Sequence, residues 1–389
     1  MEQDRTYFDI ENPKFLSTKN TKKWSSLFLY DQAFGITARA KDEDGQTLKK
    51  ADGNTKIGNQ LVEAHKRNLE DLVTHSNGNV YNKSIELPSI TAEQFNKKDF
   101  DLWKKEVGMP IVIRGYLKDA PILDIMKREN LIEKYSDTEI RCVKLEFKSG
   151  RKSKVGQNIQ TVTTTLKKFL TSEEFANHYI NNFFGILGEQ EFLDACRGRE
   201  LNSIMGKDSA IAQWFISRPK ETSGSFLHCA PADNIFLNII GQKEWCFIDP
   251  SYTPVMLPAM SRYGMYCSSE LDESLEGDFQ HYFSEKYKEM KHVPIYKVVL
   301  EEGDILYTPS WWWHRVKNLS PLTIGCATRY VDEKNTMTYN RTLYFGMLLE
   351  SIKHPFKSPF YVNLKSAMNR KNATKVMDSL FTGGSTKKT

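Results

Sequence analysis

The stretch SFLHCAPADNIFLNIIGQKEW, residues 225–245, decides how the rest of the chain is read. SFLHCA and NIFLNII are short runs of strand-forming residues, Gly241-Gln242 reads as a turn, and KEWCFIDP resumes the strand pattern at once. Alternate residues of a strand share a face, so His228 and Ala230 point one way and Cys229 the other. By the same alternation Lys243, Trp245 and Phe247 lie together.

Moving outward, AQWFIS precedes this stretch, and VPIYKVVL, EEGDILYTP and LTIGCATRYV follow it after an insertion containing the helical segment DFQHYFSEKYKEM. Many short strands with tight turns predict an antiparallel sandwich or barrel. Upstream, MPIVIRGYL reads as a buried strand. EIRCVKLEF reads as another, leading into the basic loop KSGRKSKVGQN, a solvated hairpin tip. Thr91 with Gln94 matches a capping box ahead of a helix bearing Phe95, Phe100, Leu102, Trp103 and Val107 and ending at Gly108.

Residues 1–88 form a partly helical leader. IGNQLVEAHKRNLEDLV places Leu61, Val62, His65, Leu69, Leu72 and Val73 on one helical stripe, which makes His65 a helix-face residue and not a ligand. Residues 333–389 form a helical extension: MTYNRTLYFGMLLESI sets Tyr339, Leu343, Met347, Leu348 and Ile352 at helical spacing, and YVNLKSAMNRKNATKVMDSLF repeats the pattern. These helices either pack on the barrel or pair with a second copy as a homodimer. The body, residues 89–332, lies between.

The 389 residues are 40% hydrophobic and 12% aromatic, enough for a sizeable core, and 54 Lys and Arg against 49 Asp and Glu leave +5 spread along the chain. That distribution argues against a nucleic-acid partner. No eighteen apolar residues follow one another, and the start MEQDRTYFDIENPKF lacks the apolar run of a secretory signal, so an intracellular protein with no membrane partner is expected. Six scattered cysteines without a CxxC pair read as buried thiols.

A His-x-Asp/Glu pair on one strand, joined by a distant histidine, holds non-haem Fe(II) and leaves positions open. His228 heads such a pair, and His314 in GDILYTPSWWWHRV supplies the second imidazole, with Trp311, Trp312 and Trp313 shielding the site from water. The order PIVIRG, FLHCAPADNIFLNIIGQKEW, GDILYTPSWWWHRV resembles the Jumonji C or cupin-like 2-oxoglutarate oxygenases. It is most similar to the small hydroxylase branch that includes the asparaginyl hydroxylase of hypoxia-inducible factor. The likeness spans residues 90–331. It implies a mainly β fold, a double-stranded β-helix of the cupin or jelly-roll kind with flanking N- and C-terminal α-helices. It also implies His228 and His314 as ligands of Fe(II), and Lys243, assisted by Ser225, as partner of the distal carboxylate of 2-oxoglutarate. Asn234 would lie beside that cosubstrate. A protein or peptide side chain, or an amino-acid-like small molecule, is the implied substrate.

Ala230 departs from the family, which carries Asp or Glu there. Three readings compete. Asp233 substitutes, although it lies five residues after His228 on the opposite parity. Alternatively the change, natural or introduced, leaves an inactive binding protein. In the third reading the vacancy admits chloride: radical halogenases of the iron and 2-oxoglutarate class carry alanine or glycine at this position, and His-Cys-Ala reproduces their string. Every other matched position is kept, so halogenation is favoured over hydroxylation, with Ala230 lining the halide position. Arg329, fifteen residues after His314, either binds a cosubstrate carboxylate in place of Lys243 or, more blandly, makes a strand-end salt bridge. Cys229 and Cys326 are read as packed thiols, and His281 and His292 as exposed.

Overall fold

In the computed structural model, eight strands build two facing sheets: Ala212–Ser217 (β1), Ser223–Cys229 (β2), Asp233–Ile240 (β3), Lys243–Ile248 (β4), Tyr296–Leu300 (β5), Ile305–Thr308 (β6), Trp313–Asn318 (β7) and Thr323–Tyr330 (β8). One sheet has the order β2-β7-β4-β5 and the other β6-β3-β8-β1, every pairing antiparallel. Apart from the β4 to β5 step, successive strands change sheet, which winds the chain into a double-stranded β-helix. Short strands extend both sheets, to seven and nine members; Ile85–Glu86 and Ser89–Thr91 join in parallel at one edge of each. The structure describes residues 8–34, 39–41, 47–49, 56–144, 161–206, 212–218 and 223–357, apart from 9, 184, 188, 262–263, 272–276 and 331.

The outer face of the β2-β7-β4-β5 sheet is covered by helices from both ends of the chain. Leu227 and Cys229 of β2, with Cys246 and Ile248 of β4, share a core with Trp24 and Phe28 of helix Lys19–Phe34 (α1) and with Leu61 and Leu72 of helix Lys56–His75 (α2). Leu343 and Met347 of helix Arg341–Lys353 complete it. Each fully buried Phe, Leu or Met here contributes about 1.5–3 kcal/mol. Covered faces on both sides explain why β4 is buried at all six positions instead of alternating.

Some local expectations change. Thr91 and Gln94 do exchange their hydrogen bonds, but around a turn; the helix Lys97–Leu102 starts three residues later under Asn96, whose side chain accepts from Asp99 N. That helix widens into a π turn and does end at Gly108, where φ is 64°. On α2 the buried stripe runs through Leu61, Ala64, Asn68 and Leu72, leaving Val73 exposed. The helix expected across residues 337–352 is two, Glu333–Tyr339 and Arg341–Lys353. Asn340 between them caps the second by accepting from Leu343 N at 3.0 Å. His292 is buried, its Nδ1 bonded to the Asn79 carbonyl, whereas His281 is exposed as expected. The basic loop and the second C-terminal helical pattern lie outside the described residues.

Candidate functional site

Three rows of side chains cross the inner face of β4, β7 and β2. Lys243 stands beside Asn318 and Ser223, Trp245 beside Val316 and Ser225, and Phe247 beside His314 and His228. Between Ser225 and His228 the register slips: three steps on β2 match two on β7. Such a bulge reverses the parity after it, so Ser225 and His228, which an unbroken strand would set on opposite faces, share one. Gly224 permits the approach; a Cβ there would lie 1.9 Å from the Val316 carbonyl oxygen.

The bulge sets His228 directly opposite His314, with ring centroids 4.3 Å apart. Each Nδ1 sits 2.8 Å from a backbone carbonyl, Phe226 for His228 and Trp312 for His314. A carbonyl can only accept, so Nδ1 carries the proton and Nε2 keeps its lone pair. Burial lowers the pKa of His228 to about 4 and that of His314 well below its ordinary value, with the charge of Arg329 adding to both. Two neutral imidazoles with anchored Nδ1 atoms are the form that ligates a metal. Trp245 stacks on His314 at 5.7 Å and Phe247 lies 6.1 Å away. The indole N–H groups of Trp311, Trp312 and Trp313 donate to the Thr336 carbonyl, the Gly108 carbonyl and the Thr253 hydroxyl, which ties the turn before β7 to its surroundings.

Lys243 is 1% exposed, and its ammonium donates to Asn318 Oδ1 and, at 3.0 Å, to Thr323 Oγ1. Both acceptors are neutral. Burial alone pulls its pKa down to about 7. No carboxylate among the described residues pairs with it, and a buried ammonium without a counter-charge suits an anion. Opposite, on the inner face of the other sheet, Asn234 pairs with Thr308 and Arg329, and Phe236 packs on Trp245. Asn234 Oδ1, Thr308 Oγ1 and Trp245 Nε1 are buried without a partner, the pattern expected where a polar ligand completes the site.

Asp233 does not take the place of the missing acid. Its carboxylate accepts from Ser310 N at 2.9 Å, Ser310 Oγ at 2.8 Å, Tyr307 Oη at 3.2 Å and Asn335 Nδ2 at 3.4 Å, so it braces β3 against the turn before β7. Among the described residues no group of three or more His, Cys, Asp or Glu could hold a metal. Among the described residues the histidine pair thus has no acidic neighbour. Ala230 follows β2, its carbonyl accepting from Trp311 N at 2.8 Å. Among the described residues Arg329 makes no salt bridge; its Nε donates to Gln213 Oε1 at 2.5 Å. All six cysteines are buried and free.

Sequence reasoning passed over Asn318 and Thr323, the partners of Lys243, and Gln213 and Thr308, whose inward positions follow only from the pairing of β1 with β8 and of β6 with β3. The Cupin-like domain family model matches residues 105–335. The chain is similar to Lysine-specific demethylase JMJ21 of Arabidopsis thaliana, 23% identical over 275 residues, 68% of this chain and 26% of that protein. It also resembles JmjC domain-containing protein C of Dictyostelium discoideum, 32% identical over 89 residues, 23% of this chain and 20% of that one. HSPB1-associated protein 1 of Rattus norvegicus is 28% identical over 92 residues, 24% of this chain and 18% of the relative. These matches thus span between 18% and 26% of the relatives' lengths.

Proposed function

The chain belongs to the cupin-like domain family, and from that premise we propose that it is an Fe(II)- and 2-oxoglutarate-dependent enzyme acting on an aliphatic C–H bond, with halogenation as its chemistry. The observation that carries this reading is the histidine pair with anchored Nδ1 atoms and, among the described residues, no acid beside it, Asp233 being committed elsewhere. His228 and His314 would hold iron. When bound, iron with 2-oxoglutarate supplies an oxidant strong enough to abstract hydrogen from carbon. Lys243, with Ser225 and Asn234, would orient the cosubstrate, its ammonium answering the distal carboxylate. Trp245 and Phe247 would keep water from the histidines. The methyl group of Ala230 offers no ligand, so an anion from solution, chloride, would take the place of the missing carboxylate.

One observation favours a second reading, a cosubstrate-binding barrel without catalysis: two neutral imidazoles near the charge of Arg329 hold a divalent cation less tightly than a set including a carboxylate. A third, protein hydroxylation, draws on the demethylase name of one relative. Anaerobic titration with Fe(II) and 2-oxoglutarate separates the first two: a metal-to-ligand charge-transfer band supports the enzyme, and its absence leaves the scaffold. Turnover of an amino-acid or peptide substrate in chloride then decides the chemistry. A chlorine isotope pattern in the product supports halogenation, and a gain of oxygen alone supports hydroxylation.

A further inference from the structure

The two oxygens that receive the Lys243 ammonium are delivered by a single turn. Asn318 closes β7 and Thr323 opens β8, and the residues between them are braced on the turn from β3 to β4. Leu319 N donates to the Gln242 carbonyl and Gln242 N to Ser320 Oγ, both at 2.9 Å. Lys243 follows Gln242 directly, so the paired turns hold the lysine and its acceptors in one frame. An ammonium only donates, so the buried Asn318 amide must turn Oδ1 toward Lys243, and its Nδ2 donates to Ser223 Oγ at 2.8 Å. Ser223 is held in turn by Ser217 Oγ, 2.9 Å away. Thr323, which accepts from Lys243, sends its own proton to Asn318 Oδ1 at 3.1 Å. The ammonium thus places two of its three donors on uncharged oxygens, and among the described residues the third has no partner. The neighbouring acid, Glu244, points to the other face of β4 and pairs there with Arg315 and Lys297.

We propose that Asn318 is a positioning residue for anion capture: held by Ser223, it aims the Lys243 ammonium, together with Thr323, so that the third N–H meets the incoming carboxylate while the positive charge stays uncancelled. This role rests on the reading of Lys243 as the partner of the cosubstrate's distal carboxylate. An aspartate in place of Asn318 would make the same contact but supply the counter-charge from within, and a dianion would then have to compete with it. A hydrocarbon side chain would remove the acceptor and let the head group rotate. A neutral carbonyl oxygen fixes the direction of the ammonium and leaves its charge for the ligand.

The test is anaerobic calorimetric titration of the full chain with 2-oxoglutarate in the presence of Fe(II) at pH 8, in buffers of different ionisation enthalpy, which reads affinity and proton uptake together. Wild type is compared with Asn318→Asp, Asn318→Leu, Thr323→Val and Lys243→Met, each shown folded by its thermal midpoint. Asn318→Asp keeps the shape of the side chain. It should weaken binding roughly a hundredfold or more and abolish the proton uptake of wild type, because its carboxylate keeps the ammonium charged before the ligand arrives. Asn318→Leu should weaken binding roughly tenfold and Thr323→Val severalfold, both with uptake retained. A merely structural asparagine would lower thermal midpoint and affinity in the Asp and Leu variants alike and leave proton uptake unmoved. Asn318→Asp with wild-type affinity, or with affinity lost but uptake unchanged, would overturn the proposal. Wild type that binds no 2-oxoglutarate, or Lys243→Met with undiminished affinity, would instead sink the cosubstrate reading. A weakened Lys243→Met beside an unaffected Asn318→Asp would keep that reading and remove Asn318 alone.

Discussion

His228 and His314 face one another across neighbouring antiparallel strands, ring centroids 4.3 Å apart, each ring pinned through Nδ1 to the carbonyl of the residue two places before it. The repeated local bond gives both imidazoles the same tautomer and frees both Nε2 atoms. Replacing either histidine with alanine should lower affinity for Fe(II) by roughly a hundredfold or more, since losing even an outer partner of a ligand costs about 10–100-fold. Anaerobic metal titration checks this; unchanged affinity in both variants would remove the pair as ligands.

The pairing depends on the bulge before His228. Gly224→Ala would drive a methyl group into the Val316 carbonyl, 1.9 Å away, and backbone cannot yield as a flexible side chain does. The variant should lose about 3 kcal/mol or more of stability in urea titrations and lose metal binding with it. Full stability would show that β2 does not need this close approach.

Much of the site was legible because strand alternation is simple. His228, Lys243, Trp245 and Phe247 could be placed from period-two counting, and the antiparallel barrel from turn spacing, whereas Ala230 lies past the end of β2, where alternation no longer fixes a face. Ser225 could not, because the bulge that turns it inward is a property of two strands in contact and leaves only a glycine as its local sign. Arg329 resisted for a similar reason: the partner that its Nε meets, Gln213, arrives from β1, a strand that the sequence around the arginine does not announce. His292 looked solvated in its charged surroundings, but the Asn79 carbonyl, 213 residues away in sequence, captures it.

Lys243 should make stability depend on pH. Its folded pKa, about 7, lies below the ordinary 10.5, so between these values the unfolded chain holds a proton that the folded chain does not. Its penalty is full below about pH 7 and fades as pH rises toward 10.5. The metal-free protein should therefore lose stability relative to Lys243→Met as pH falls: the variant should be the more stable at pH 7, with the gap closing by pH 10 in denaturant titrations. Binding of 2-oxoglutarate at pH 8 should take up close to one proton, read by calorimetry in buffers of different ionisation enthalpy. No proton uptake would mean the ammonium is already charged or is not the receptor.

Asp233→Asn should be a stability variant. It sets an amide against the Ser310 N–H and hydroxyl and weakens four acceptor contacts, for a loss of about 2–3 kcal/mol, while Fe(II) affinity stays within the error of the wild-type value. Lost iron affinity with unchanged stability would instead make Asp233 the third ligand.

The chloride position proposed beside Ala230 is the centre of the account, and chloride titration of the anaerobic Fe(II) and 2-oxoglutarate complex probes it most directly. In wild type, chloride should shift the charge-transfer band saturably; in Ala230→Asp, iron should bind more tightly and the band should ignore chloride. A wild-type band indifferent to chloride, or an Ala230→Asp protein that still responds to it, would contradict the proposed chloride position.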